Sequence, residues 1–211
     1  MQLAEQRLRP TFSTLPVHTQ YRRHLPHLHP PGAALFLTMR LAGSLPQAVL
    51  EELQTPTADL LSQRQRFARY EQQLETGGYG PTWLRQPTVA ALVLAGLRQQ
   101  AANGHYELLA ACAMPNHLHV VLRLPLAGEQ AFYRVMQRFK SATAVLANRK
   151  LGRNGRFWQD ESYDHVVREG QPDALVRAIR YTVCNPVKAG LCLRWQEWKG
   201  TYLTEEWQEL V

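Results

Sequence analysis

Apolar positions along the chain change their period several times, and each change marks an element. "AALFLTMRLAG" (33–43) is a continuous apolar run closed by Gly43, the pattern of a buried strand. Residues 46–76 turn helical in "LPQAVLEELQ" and "TADLLSQRQRFARYEQQLE", with Thr57 or Asp59 as caps. "GGYGP" (77–81) breaks that pattern, and "TVAALVLAGLRQQAANG" (88–104) forms a further helix ended by Gly104. "HYELLAACAMPNHLHVVLRLP" reads as two strands around a tight Met114-Pro115-Asn116 turn. In the second of these, alternation puts Leu118, Val120, Leu122 and Leu124 on one face and His117, His119, Val121 and Arg123 on the other. Residues 129–152 form a long helix with Phe132, Val135, Phe139, Ala142 and Leu146 as its apolar stripe. "FWQDESYDHVVRE" (157–169) has a strand-like end. Residues 172–185 are helical, with Pro172 at the start and Pro186 just past the end.

This order predicts an α+β fold: a ferredoxin-like βαββαβ core with an antiparallel sheet, a helical insertion and an additional C-terminal helix. Residues 1–32, rich in Pro, His, Arg and Gln, read as a poorly packed arm. Residues 33–202 read as one catalytic-size domain interrupted by an insertion at 57–84, and 203–211 as a tail. Trp195, Trp198 and Trp207 are expected to pack back onto the body.

Composition narrows the partners. The chain has 24 Lys+Arg against 17 Asp+Glu, net +7, and before position 151 the basic side chains are almost all Arg. Guanidinium forks match phosphate, so nucleic acid is a candidate partner, although a solvated basic surface accounts for the charge equally well. Cys112, Cys184 and Cys192 are odd in number, form no CxxC and sit in apolar runs. They are expected as buried thiols in a reducing compartment. The longest apolar run, 89–97, is too short to span a bilayer, and no secretory signal is visible in "MQLAEQRLRP". A cytoplasmic, nucleoid-associated location without a membrane partner is the expectation.

The tripeptide His-Leu-His occurs twice. His117 and His119 stand two residues apart on a strand, which aims both rings one way and lets them share a metal ion. On spacing alone they could equally be edge-strand histidines. His27 and His29 have the same spacing between Pro26 and Pro30-Pro31, with no scaffold behind them, and read as solvated arm. A two-histidine site needs a third ligand. Tyr181 and Asn185 lie four apart on one helical face, with Asn185 expected at the frayed end before Pro186. Arg177, one turn before Tyr181, could add a phosphate contact. A helical tyrosine can also simply pack on a sheet.

At this point "MPNHLHVVL" resembles the HUH (His, hydrophobic, His) motif of single-tyrosine transposases. "RYTVCNPVKAGL" resembles their tyrosine helix, most closely in the REP-associated branch, with Cys184 where relatives carry polar residues. The likeness runs over roughly 20–202, apart from 57–84. It implies His117, His119 and Asn185 as ligands of a divalent ion, Mg²⁺ or Mn²⁺, and Tyr181 as nucleophile. It implies cleavage and rejoining of hairpin-flanked single-stranded DNA through a 5′-phosphotyrosine, by a monomer or homodimer. Arg123, Arg134, Arg138 and Lys140 would follow the DNA backbone. Two alternatives remain: a non-cleaving protein that binds structured DNA or RNA, and a phosphodiesterase in which the histidines activate water.

Overall fold

The computed structural model describes residues 20–22, 26–54, 60–76, 78–127, 130–167 and 173–211. Five strands form one antiparallel sheet: β3 (Ala34–Arg40), β4 (Glu107–Ala113), β5 (His117–Arg123), β6 (Tyr163–Val166) and β7 (Thr201–Leu203), in the order β6-β3-β5-β4-β7. The first four reproduce the strand arrangement of a ferredoxin-like core, and β7 extends it beyond β4. A separate ribbon pairs β1 (Gln20–Arg22) with β2 (Pro26–Leu28). The predicted α+β class and antiparallel sheet are therefore those of the molecule.

The alternation read from β5 is the one observed. Leu118, Val120, Leu122 and Leu124 join Leu35, Leu37, Met39 and Leu41 of the β3 segment in the larger core. That core is covered by α3 (Pro87–Ala102) and α4 (Phe132–Lys150), the two crossover helices. Gly96 of α3 is the closest point of their packing: a Cβ there would lie 2.9 Å from Thr143 Cγ2 and 3.2 Å from Phe139 Cε2. The stripe of α4 departs from expectation beyond Phe139. Leu146 is exposed, and the buried line continues through Thr143 and Ala147. Thr143 fits because its hydroxyl donates to Phe139 O at 2.7 Å and accepts Trp158 Nε1–H at 2.9 Å, so its polar atom is satisfied inside the core.

The opposite face of the sheet holds Phe36, Val121, Ile179 and Val183, with α5 (Ala174–Lys188) lying across it. Trp195 and Trp207 pack against this second cluster and Trp198 Nε1 donates to Ala113 O at 2.9 Å, as the tail reading anticipated. The 46–76 region divides into α1 (Gln47–Gln54) and α2 (Leu60–Glu75). Its proposed caps Thr57 and Asp59, like residues 1–19, lie outside the described residues. Among the described residues no helix is long and apolar enough to cross a membrane.

Two readings are corrected. Helix α5 continues through Pro186 to Lys188, so Asn185 lies inside the helix and not at a frayed end. A proline in the last turn removes one amide donor only, and Ala189 N to Asn185 O (2.9 Å) and Leu191 N to Pro186 O (2.8 Å) close the turn around it. His27 and His29 are not solvated: both are buried and both hydrogen-bond to Asp164 on β6. The missing scaffold is supplied by the edge of the main sheet, from a part of the chain more than a hundred residues away.

Candidate active site

β5 turns His117 and His119 toward the α5 face, where both are buried. Their Nε2 atoms lie 2.9 Å apart. Each ring is fixed from behind. Asn116 sends its amide N–H to Leu74 O at 3.1 Å, so its Oδ1 is the acceptor 2.7 Å from His117 Nδ1. Thr38 donates its hydroxyl proton to Glu71 Oε1 at 2.9 Å, so it accepts at 3.1 Å from His119 Nδ1. Both rings are thereby assigned the Nδ1–H form, with an Nε2 lone pair facing an Nε2 lone pair. That pairing is repulsive without a positive charge between them. Burial holds His117 down to about 3 and His119 well below the usual imidazole value, so a proton is a poor candidate for that charge.

Asn185 completes the argument for a cation. It has no solvent exposure, and neither Oδ1 nor Nδ2 has a hydrogen-bond partner among the described residues. A buried amide with both ends unsatisfied is costly unless something else engages it. Two imidazole nitrogens and an amide oxygen are a donor set suited to a divalent ion, and the residues present fit one.

Tyr181, one turn before Asn185 on α5, sets its ring 5.6 Å from that of His119 and 5.8 Å from that of Phe36, edge-on to both. Its hydroxyl donates to Glu71 Oε2 at 2.8 Å and Glu75 Oε1 at 2.9 Å. Burial and these carboxylates push the phenol above its ordinary range. Glu71 Oε2 also lies 3.3 Å from His119 Nε2, and burial raises the Glu71 carboxyl to about 7. Lys188 bonds both oxygens of Glu75 at 3.0 Å.

Sequence reasoning missed Glu71, Glu75, Thr38 and Arg40. The glutamates lie on α2, in the segment read as an insertion without a role. Their only signal was their four-residue spacing on one helical face. Thr38 and Arg40 were legible in principle as polar positions at alternate places on a buried strand. Arg40 lies opposite His117 in the β3–β5 register, is buried, and has an Nη1 without a hydrogen-bond partner among the described residues.

The basic residues are spread over the molecule. Arg123, on the same strand as the histidines, pairs with Glu107 at 3.3 Å. Arg177 is exposed on α5. Arg134, Arg138 and Lys140 lie on α4, which covers the other face of the sheet. Arg134 Nε donates to Tyr133 Oη at 3.0 Å, Arg138 bonds Gln130, and Lys140 Nζ donates to the carbonyls of Gln159 and Asp160 at 2.9 and 3.1 Å.

Residues 82–178 match the family described as Transposase IS200 like. A protein of Haemophilus influenzae (strain ATCC 51907 / DSM 11121 / KW20 / Rd), "Putative REP-associated tyrosine transposase", is 25% identical over 109 residues, 48% of this chain and 61% of that protein. The chain thus spans about three fifths of the length of this curated relative. A solved structure of a REP-associated tyrosine transposase bound to a REP hairpin is similar with a TM-score of 0.45 and 17% identity, over 86% of this chain and 80% of that one. Over residues 82–178, a stretch that includes His117 and His119 and ends before Tyr181, the chain matches the IS200-like transposases, and the likeness that its motifs carried to single-tyrosine, REP-associated transposases is borne out.

Proposed function

We propose that the protein is a metal-dependent tyrosine transposase that cleaves and rejoins hairpin-flanked single-stranded DNA. The observation that carries this reading is the facing of the two Nε2 lone pairs, with the Tyr181 ring edge-on to His119 and the buried, unsatisfied Asn185 one turn after Tyr181 on α5. His117, His119 and Asn185 would hold a Mg²⁺ or Mn²⁺ ion, which supplies polarisation of a bound phosphate.

Tyr181 Oη is the nucleophile. A free phenol is about 0.1% ionised at neutral pH, so a proton acceptor in contact matters. Glu71 Oε2, 2.8 Å away, receives the phenolic proton as Oη bonds to phosphorus. The bond from phosphorus to the 3′ oxygen breaks, and that oxygen takes up a proton to become a free 3′-OH. The 5′ phosphate remains as an ester of Tyr181, and its retained bond energy allows rejoining to another 3′-OH without a nucleotide cofactor. Arg123 and Arg177 would contact DNA that reaches the site. Arg134, Arg138 and Lys140 would meet only DNA that continues round to the α4 face.

The test is incubation with labelled hairpin-flanked single-stranded DNA and Mn²⁺, followed by denaturing electrophoresis. The expected result is a covalent adduct that vanishes in Tyr181→Phe and in His117→Ala. An adduct that persists in Tyr181→Phe overturns the nucleophile assignment. Cleavage to free 5′-phosphate, tolerant of Tyr181→Phe, would select a water-using phosphodiesterase. Tight binding with no cleavage under any divalent ion would select a non-cleaving nucleic-acid-binding protein.

A further inference from the structure

The second His-Leu-His lies on the other side of the sheet. Asp164 pairs with Leu37 in the β3–β6 ladder and shares its face, the one covered by α3 and α4. Tyr163 and His165 share the opposite face with Thr38 and Phe36. His27 and His29, at the end of β2, are brought over β6 onto Asp164. His27 Nδ1 meets Asp164 Oδ1 and His29 Nε2 meets Asp164 Oδ2, so each carboxylate oxygen has one ring nitrogen. The side chains of His27, His29 and Asp164 are 2%, 3% and 4% exposed.

From this arrangement we infer a second divalent-metal site, formed by His27, His29 and Asp164 and occupied by zinc, distinct from the catalytic pair. The candidate ligand atoms all lie within 4.8 Å of one another. Two imidazole nitrogens and a carboxylate are characteristic zinc donors, and a bidentate Asp164 fills a four-coordinate shell without water, as in a closed structural site. The surroundings agree. The far nitrogen of His27, Nε2, lies 3.5 Å from Glu161 Oε1, the carboxylate behind a ligating histidine that orients it and strengthens its lone pair. Phe132 sets its ring edge-on to His29, 4.8 Å away, and shields the cluster from water. An ion here would tie the β1–β2 ribbon to β6, which is the edge strand of the main sheet among the described residues. The same side chains could be joined by protons alone, and metal counting separates the two.

The full chain is stripped with a chelator, titrated with Zn²⁺ alone, desalted, and its zinc measured by elemental analysis. In His117→Ala/His119→Ala protein, which lacks the catalytic pair, about one zinc per chain is expected, together with a rise in Tm on zinc addition. Adding His27→Gln/His29→Gln abolishes both, and Asp164→Asn has the same effect in a nearly isosteric side chain. Glu161→Gln weakens zinc binding by roughly 10–100-fold while preserving the stoichiometry. Cobalt at the site gives the visible absorption of a four-coordinate complex. Folded His117→Ala/His119→Ala protein that retains no zinc overturns the inference, as does retention unaffected by His27→Gln/His29→Gln. Should the double alanine variant not fold, the wild-type chain and His27→Gln/His29→Gln must differ by about one zinc equivalent, and equal contents refute the site. None of these readouts depends on DNA cleavage, so they stand or fall separately from the tyrosine chemistry.

Discussion

Cys112 lies on β4 with no solvent exposure, and burial pushes its thiol up to about 12. Thiolate is the reactive form, so at neutral pH Cys112 carries far less of it than an exposed cysteine. Cys184 and Cys192 are half-buried. Brief alkylation of the native protein, read by peptide mass spectrometry, is expected to label these two and spare Cys112 until the protein is denatured. Equal labelling of all three in folded protein would contradict the burial. The same residue-level physics decided what could be read in advance. His117 and His119 were legible because strand alternation fixes two side chains to one face. Tyr181 and Asn185 were legible because four residues are about one helical turn. The burial of Asn185 was not, since local rules end helices near proline, and tertiary contacts carried α5 one turn further.

At the level of elements, α3 and α4 meet where Gly96 leaves no room for a side chain. Replacing it with Val forces Phe139 and Thr143 to shift in a core that is already filled. A loss of about 1–3 kcal/mol is expected in denaturant unfolding at unchanged m-value, the usual range for overpacking. A change near zero would mean that the two helices can separate freely. The expected elements β3, β4, β5, α3 and α4 all formed near their predicted bounds because each has one dominant period and clear terminators. The short β2 and β7 did not announce themselves. Three residues are too few to show a period, and their strand character comes from the neighbours they pair with.

Taken as a whole, the molecule is divided by one sheet into two faces. The histidine–tyrosine constellation lies under α5 and α2, and the basic residues of α4 lie on the reverse. If substrate DNA continues round to the reverse face, Arg134→Ala/Arg138→Ala should weaken binding of hairpin-flanked DNA. The dependence of log affinity on log salt should become shallower by about 0.7–0.9 for each phosphate no longer neutralised. Adduct formation at saturating DNA is expected to stay at the wild-type rate, because neither side chain is near Tyr181. An unchanged salt slope would confine the DNA path to the α5 face. This division was not legible in the sequence, because which face each helix covers is a long-range outcome of strand order.

The active-site assembly also has a consequence in time. Thr38, Glu71, His117, His119, Tyr181 and Asn185 come from four elements spread over most of the chain: β3, α2, β5 and α5. During synthesis the histidine strand leaves the ribosome long before the tyrosine helix, and the proposed chemistry needs both. On the proposed chemistry, a nascent chain next to nucleic acid is therefore without its nucleophile until α5 has been made and folded. A fragment that ends anywhere before α5 would then lack both Tyr181 and Asn185 and form no covalent adduct with DNA.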